Sequence, residues 1–470
     1  MPAVGPAYAP GPGDSKASRR SCSIFFYEGW LGVSPTVLNL ARVLDRSGYD
    51  VAVLATRTPF PGPRENGSHT KVLLLRRVGE TRPGVLLQRV LRRARLGSLM
   101  PLLELVSFAA QAAKMRRPTG GRSAGAGLSV GIDAYGAITA WVRQRLFHVP
   151  YAYLSLELGS SLGGSHAARL IGRLERRAYR NASFVIVQDE ERLQALASYL
   201  NYQHPKVTFL PNSPLVSTAK TEVVPTGNWL RQRCGIDEEA FPYIVLQAGM
   251  VDDAVYSKEL ARTFTGVGAG CALVYHERLK RDDADPYLVR LREINSVNLF
   301  LSLDPLPMEE VDRVFASATI GVAFYRTIDP NFSLISMASG KLGYYTKHGK
   351  PVLVCGSESL GRFVADREIG MVVQDPTSAS ELQAAIDRIL GDFARYSANS
   401  RACFEADFDF ERTSRATLEA FDAIAPSGSH SPDRQSVADA RRGETGDQPA
   451  RAAAGQSAGL PPAITPGRDR

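Results

Sequence analysis

Short apolar runs of strand length alternate with stretches of helical periodicity along most of this chain, in two successive series. The alternation limits the fold sharply, because strands joined through helices build parallel sheets covered on both faces. The first series opens with the apolar strand Ser23–Tyr27 and a turn over Glu28–Pro35 that contains Gly29 and Gly32. A helical stretch follows, with Val37, Leu38, Leu40, Ala41 and Leu44 on one face and Gly48 closing it, and a second strand covers 49–55. This is the opening unit of a Rossmann-like half. Further strands are expected at 128–133, 150–158, 182–188 and from 207, with helices at 134–147, 170–180 and 190–199.

Between 216 and 241 the pattern weakens, which predicts a linker. A second series then runs from Pro242, with strands at 242–249, 271–275, 297–301, 320–325, 352–355 and 371–373. Helices are expected at 258–264, 285–294, 308–316, 341–348, 378–390, 399–404 and 411–421. The expected organisation is thus a leader (1–20), a first Rossmann-like domain (21–215), the linker (216–241), a second Rossmann-like domain (242–405), a terminal helix (406–423) and a tail (424–470). Leader and tail are aperiodic and polar or rich in Pro, Gly and Ala, so both are expected to be disordered.

Composition excludes several classes. Hydrophobic residues make up 44% of the 470, enough for two cores, and no apolar run approaches the roughly 20 residues of a spanning helix. No apolar signal-peptide core precedes Ser21. The five cysteines are scattered without CxxC pairs, which fits reduced thiols in a cytoplasmic protein rather than a zinc site or a disulfide framework. The missing GxGxxG turn argues against a nicotinamide or flavin cofactor.

The net charge of +8 is local: residues 71–117 carry 11 Lys/Arg against 2 Asp/Glu, so the remainder is close to neutral. Leucine and arginine mix from Val85 to Leu96. That composition suits an amphipathic helix on an anionic membrane surface, or a solvated helix face packed on its own domain. Nucleic acid is a poorer partner, since no aromatic residues interleave the arginines.

The stretch from Ser336 to Cys355 reads as a loop, a helix opened by Ser339-Gly340-Lys341 and stopped at Gly349-Lys350-Pro351, and the buried strand Val352–Cys355. A helix N-terminus with a glycine and an adjacent ammonium suits a phosphate, although the P-loop spacing is absent and an ordinary capped helix reads the same way. Glu157 falls near the carboxyl end of a strand, where open α/β sheets bind ligands. A surface ion pair would account for it equally.

In their order over residues 22–423, several stretches resemble the GT-B glycosyltransferases of the family 4-like group. They are Gly32-Val33-Ser34, Gly48–Val51, Tyr153–Glu157, Leu174–Gln188, Leu210-Pro211-Asn212, Ser317–Gly321, Ser339–Leu342, Gly349–Val352, Gly370 with Val372, and Phe404 with Phe408–Phe410. The resemblance implies two Rossmann-like domains facing across a cleft, with the terminal helix returning towards the first domain. It implies an enzyme that moves a sugar from a nucleotide-sugar donor to a glycan, lipid-linked or small-molecule acceptor, with retention and without metal or other cofactor.

Lys341 and Glu157 would be the catalytic residues, Glu157 on the acceptor side. Gly32, Lys258, Asn331, Ser339, Gly340, Lys341 and Tyr344 would bind the donor. Polysaccharide or lipid-linked glycan assembly, in the cytoplasm or on the inner membrane face, is the expected setting. The family's two glutamates, spaced eight positions apart, fall at Ser336 and Tyr344. This departure keeps open a catalytically inactive GT-B partner or regulatory subunit. A nucleotide-sugar epimerase shares the architecture.

Overall fold

The computed structural model describes residues 19–28, 31–57, 69–94, 96–115, 127–159, 165–216, 228–268 and 270–425. Gly29, the leader before Arg19 and the tail after Ala425 lie outside them. Two all-parallel sheets carry the chain. The first has seven strands in the order β3-β2-β1-β4-β5-β6-β7. These are β1 (Arg20–Phe26), β2 (Tyr49–Thr56), β3 (Thr70–Leu75), β4 (Leu128–Ile132), β5 (Tyr151–Leu154), β6 (Phe184–Val187) and β7 (Val207–Phe209).

The second has six, in the order β10-β9-β8-β11-β12-β13. They are β8 (Tyr243–Gly249), β9 (Cys271–Glu277), β10 (Leu299–Ser302), β11 (Ile320–Phe324), β12 (Val352–Cys355) and β13 (Gly370–Val372). In each sheet the order reverses beside the opening strand (β1/β4 and β8/β11), the topological switch point at which such sheets bind ligands.

Around the first sheet lie α1 (Pro35–Arg46), α2 (Arg82–Arg93), α3 (Met100–Lys114), α4 (Asp133–Phe147), α5 (His166–Asn181) and α6 (Glu190–Leu200). The second carries α7 (Trp229–Cys234), α8 (Ser257–Phe264), α9 (Pro286–Arg292), α10 (Asp312–Ala316), α11 (Pro330–Ser333), α12 (Gly340–Lys347), α13 (Glu358–Asp366), α14 (Ala379–Gly391) and α15 (Phe393–Cys403). Then come α16 (Phe410–Thr413) and α17 (Arg415–Ile424). The central strands are buried end to end, which is why they read as unbroken apolar runs.

Several elements depart from the expectation. β3 falls inside the basic segment. As an edge strand it is half exposed, and it has no buried run to announce it. The second part of the expected linker holds α7, whose Leu230 is fully buried in the second core; one and a half turns are too short to show a period. α13 was not anticipated. The helix expected at 399–404 begins at Phe393, directly after α14. α17 lies on the first sheet: Phe421 packs against Phe184 at 5.1 Å, and Asp422 accepts from the Tyr49 hydroxyl at 2.9 Å.

Candidate active site

The carboxyl ends of β8, β9 and β11 meet the N-terminus of α12. Ser339 caps that helix by accepting the Leu342 N–H (3.4 Å), and its hydroxyl lies 2.7 Å from the Tyr325 hydroxyl just beyond β11. In the first turn of α12 the Leu342 and Gly343 N–H groups donate to Ser339 O at 3.0 and 3.4 Å, which leaves those of Gly340 and Lys341 for a ligand. Gly249 ends β8 at φ +115, and a β-carbon there would stand 3.7 Å from Lys341 Cε and 3.9 Å from Nζ. Those are ordinary contacts, so it is the left-handed backbone that calls for glycine here.

Lys341 Nζ is buried and makes no hydrogen bond among the described residues. Its neighbour is the Tyr325 ring, with the centroid 4.9 Å away. Burial first, then the nearby Arg278, lower its pKa to about 7, against a weaker pull from Asp252. Arg278 follows β9 directly, and burial lowers its pKa also. Two cations held without a carboxylate partner to either Nζ or Nε are an unfavourable arrangement in an empty site, and an anion would relieve it.

These residues line a cleft of about 350 Å³ between the two halves. Gly32, Glu157, Asn331, Ser339, Gly340, Lys341 and Tyr344 all border it. Lys258 does not. Its ammonium pairs with Asp253 at 3.0 Å and sits 5.0 Å over the Tyr287 ring, because the first turn of α8 points it away from the strand ends. Arg278 occupies the cationic place expected of it.

Asn331 reaches the cleft with its amide already committed. Its Oδ1 accepts the Leu158 N–H at 2.6 Å and an Arg192 N–H at 3.2 Å, while its Nδ2 donates to Leu158 O at 3.3 Å. It ties the halves together. Tyr344 stacks on Phe315 (4.7 Å, 14°), and its hydroxyl is buried without a partner among the described residues. Ser336 turns inward, accepting from the Ser359 hydroxyl at 3.0 Å.

On the side of the first domain the cleft continues into a cavity of about 260 Å³ that holds Glu28, Asp133, Glu157 and Arg192. Burial raises Glu28 to about 7 and lifts Asp133 well above the usual carboxylate range. Asp133 starts α4 at φ +49 and accepts the N–H groups of Leu156 (2.7 Å) and Glu157 (3.1 Å). Glu157 is open to the cleft, and desolvation by the surrounding protein raises its pKa despite Arg192 and Arg278. Arg278, Asp133, Glu28 and Arg192 were not singled out from the sequence. The strand-end rule that identified Glu157 would have found Arg278, since it follows Glu277 at the end of β9.

Residues 32–213 match the family described as Glycosyl transferase 4-like domain. No curated protein sequence matches the chain. Among solved structures, HepE of Anabaena in complex with UDP and glucose is similar at 14% identity and TM-score 0.57, covering 85% of this chain and 99% of that one. The α,α-trehalose-phosphate synthase (UDP-forming) of Burkholderia vietnamiensis is similar at 15% identity and TM-score 0.53, over 87% and 100%. WaaG, a glycosyltransferase involved in lipopolysaccharide biosynthesis, is similar at 14% identity and TM-score 0.55, over 87% and 100%. Residues 32–213 thus match a Glycosyl transferase 4-like domain, and the chain as a whole, with two parallel Rossmann-like sheets about a cleft, has the GT-B fold of these solved structures.

Proposed function

We propose that this enzyme transfers a sugar from a nucleoside-diphosphate sugar, with UDP as the best supported nucleotide, and that it retains anomeric configuration. The observation that carries the reading is the buried, unpartnered ammonium of Lys341 beside Arg278 at the start of α12. A diphosphate there would be met by two cations and the Gly340 and Lys341 N–H groups, which stabilise the charge that develops as the leaving group departs. Charge supplied by side chains in this way makes a metal ion dispensable.

The sugar would lie towards Glu157, with the acceptor in the cavity of Glu28 and Asp133. The acceptor oxygen forms the new bond to the anomeric carbon on the face from which the phosphate oxygen leaves, and the acceptor's proton passes to that phosphate. HepE in complex with UDP and glucose supports the choice of nucleotide by similarity of fold.

Replacing Lys341 with Met tests the assignment. Removing an uncompensated buried charge should raise the thermal midpoint of the free enzyme, while UDP and UDP-sugars should lose most of their stabilising shift. A mutant that binds UDP like the parent would refute the phosphate site. A second reading, a GT-B subunit that binds donor without transferring it, is favoured by Ser336 and Tyr344 standing where the family carries carboxylates. Donor binding without any transfer to a panel of acceptors would establish it.

We also propose that the acceptor is a glycan, in the setting of polysaccharide or lipid-linked glycan assembly, and that α2 rests on an anionic membrane surface. Leu86 and Val90 of α2 are 63% and 53% exposed. Arg89, Arg92 and Arg93 on the adjoining face make no ion pair among the described residues. No described helix is long and apolar enough to cross a membrane.

A further inference from the structure

We infer that Asn331 is a positioning residue for the reaction: it holds Glu157 in place from the opposite domain, so the acceptor-side carboxylate is set only while the donor half is docked against it. The inference rests on the reading of Glu157 as the acceptor-side residue.

Glu157 sits on a short loop rather than on a strand. β5 ends at Leu154, and from Leu156 to Leu158 the backbone has left the sheet. Side chains meet its polar groups instead. Asp133 Oδ1 accepts the N–H groups of Leu156 at 2.7 Å and Glu157 at 3.1 Å. Arg192 donates to Leu156 O at 2.7 Å, and the Ser155 hydroxyl donates to Glu157 O at 3.3 Å. These partners all belong to the first domain. Leu158 comes next and is buried, and both its backbone groups turn to Asn331 of the second domain. Its N–H donates to Oδ1 at 2.6 Å, and its carbonyl accepts from Nδ2 at 3.3 Å. A carboxamide matches a peptide group donor for acceptor, so the pair acts as one rung of a sheet laid across the gap.

Asn331 is itself fixed. Asp329 caps α11, accepting the N–H groups of Asn331 at 2.8 Å and Phe332 at 3.2 Å. The chain then passes Leu334, whose carbonyl accepts from Arg192 at 3.1 Å, and enters α12 with Lys341. The carboxamide is thus continuous with the diphosphate site. Its Oδ1 is already filled by two donors, Leu158 and Arg192 (3.2 Å), which suits a strut better than a ligand of the donor sugar. Without it a buried N–H and carbonyl lose their partners and the loop shifts towards water. A displacement of about 1 Å in a reacting geometry is enough to cost roughly 100-fold in rate.

UDP release by the full chain from UDP-glucose, UDP-galactose and UDP-N-acetylglucosamine tests this, with water in the acceptor's place. The water oxygen then bonds the anomeric carbon as UDP leaves with the proton. Asn331→Ala should lower kcat by as much as about 100-fold. KM for the UDP-sugar and the calorimetric affinity for UDP should stay within about threefold of the parent, which also shows the variant to be folded. In a Glu157→Gln background the same substitution should change kcat by less than about threefold, because the loop it places no longer carries a carboxylate. Equal fold-losses in the two backgrounds, an unchanged kcat, or a raised KM with kcat kept would overturn the inference while leaving transfer intact. Glu157→Gln as active as the parent would refute the acceptor-side reading, and a parent that releases UDP from none of the three would refute transfer itself. The inference falls with either.

Discussion

At the scale of single residues, Lys341 ties the site to pH. In the free enzyme it holds its proton only below about pH 7, whereas an unfolded lysine holds it to about 10.4. Between those values the unfolded chain binds the extra proton, so this residue makes folding stability rise with pH across that window. Donor binding has the opposite sign. A diphosphate favours the charged ammonium, so above pH 7 binding takes up a proton and affinity falls as pH rises towards 9. Calorimetry at pH 8 in buffers of different ionisation enthalpy should give different apparent binding enthalpies in the parent. The difference should vanish in Lys341→Met.

At the scale of elements, α12 is held by contacts that leave no spare volume. A β-carbon at Gly343 would meet Pro214 Cδ at 2.9 Å, and Phe408 and the Ser213 Cα at 3.3 Å. Gly343→Ala should therefore displace the helix, lowering both the thermal midpoint and UDP affinity. Gly172 in α5 has nothing within 4 Å, and Gly172→Ala should stabilise by about 0.5–1 kcal/mol. Equal effects of the two substitutions in thermal melts would contradict this packing. α2 makes the contrasting case, since of its residues only Gly84 is buried. Leu86→Asp with Val90→Asp should leave folding intact and abolish flotation with vesicles containing phosphatidylglycerol. Vesicles of phosphatidylcholine alone should recruit neither form.

At the scale of the molecule, the cleft is set by links that cross it. Asn212 donates from its backbone to Met337 O at 2.9 Å and from its side chain to Ala338 O at 3.1 Å, and it accepts from Thr36 at 3.0 Å. Arg42 pairs with Glu309 at 2.9 Å, and Arg192 donates to Leu334 O at 3.1 Å. The chain end then crosses back as α17, with Phe421 fully buried in the first core. Ending the chain at Ser414 should expose that core and cost several kcal/mol, about 3–5 for the loss of a buried Phe alone. The readout is a lowered thermal midpoint with loss of solubility. A truncated protein that melts like the parent would show α17 to be dispensable.

The α/β class, the two series and the helix beginning at Ser339 were legible from the chain, because buried parallel strands must be apolar throughout and capped helices carry their own punctuation. Seven of the eight expected site positions border the cleft, since glycines, caps and strand ends mark ligand edges locally. What the sequence could not show is which cation faces the cleft. Lys258 and Arg278 both follow strands, and only the turn of α8 sends the first to Asp253 and leaves the second in the gap. The commitment of Asn331 to Leu158, and the gathering of Glu28 and Asp133 into one cavity, join residues far apart in sequence. Period and spacing report local conformation alone, whereas burial and the charge of neighbours exist only once the chain has closed on itself.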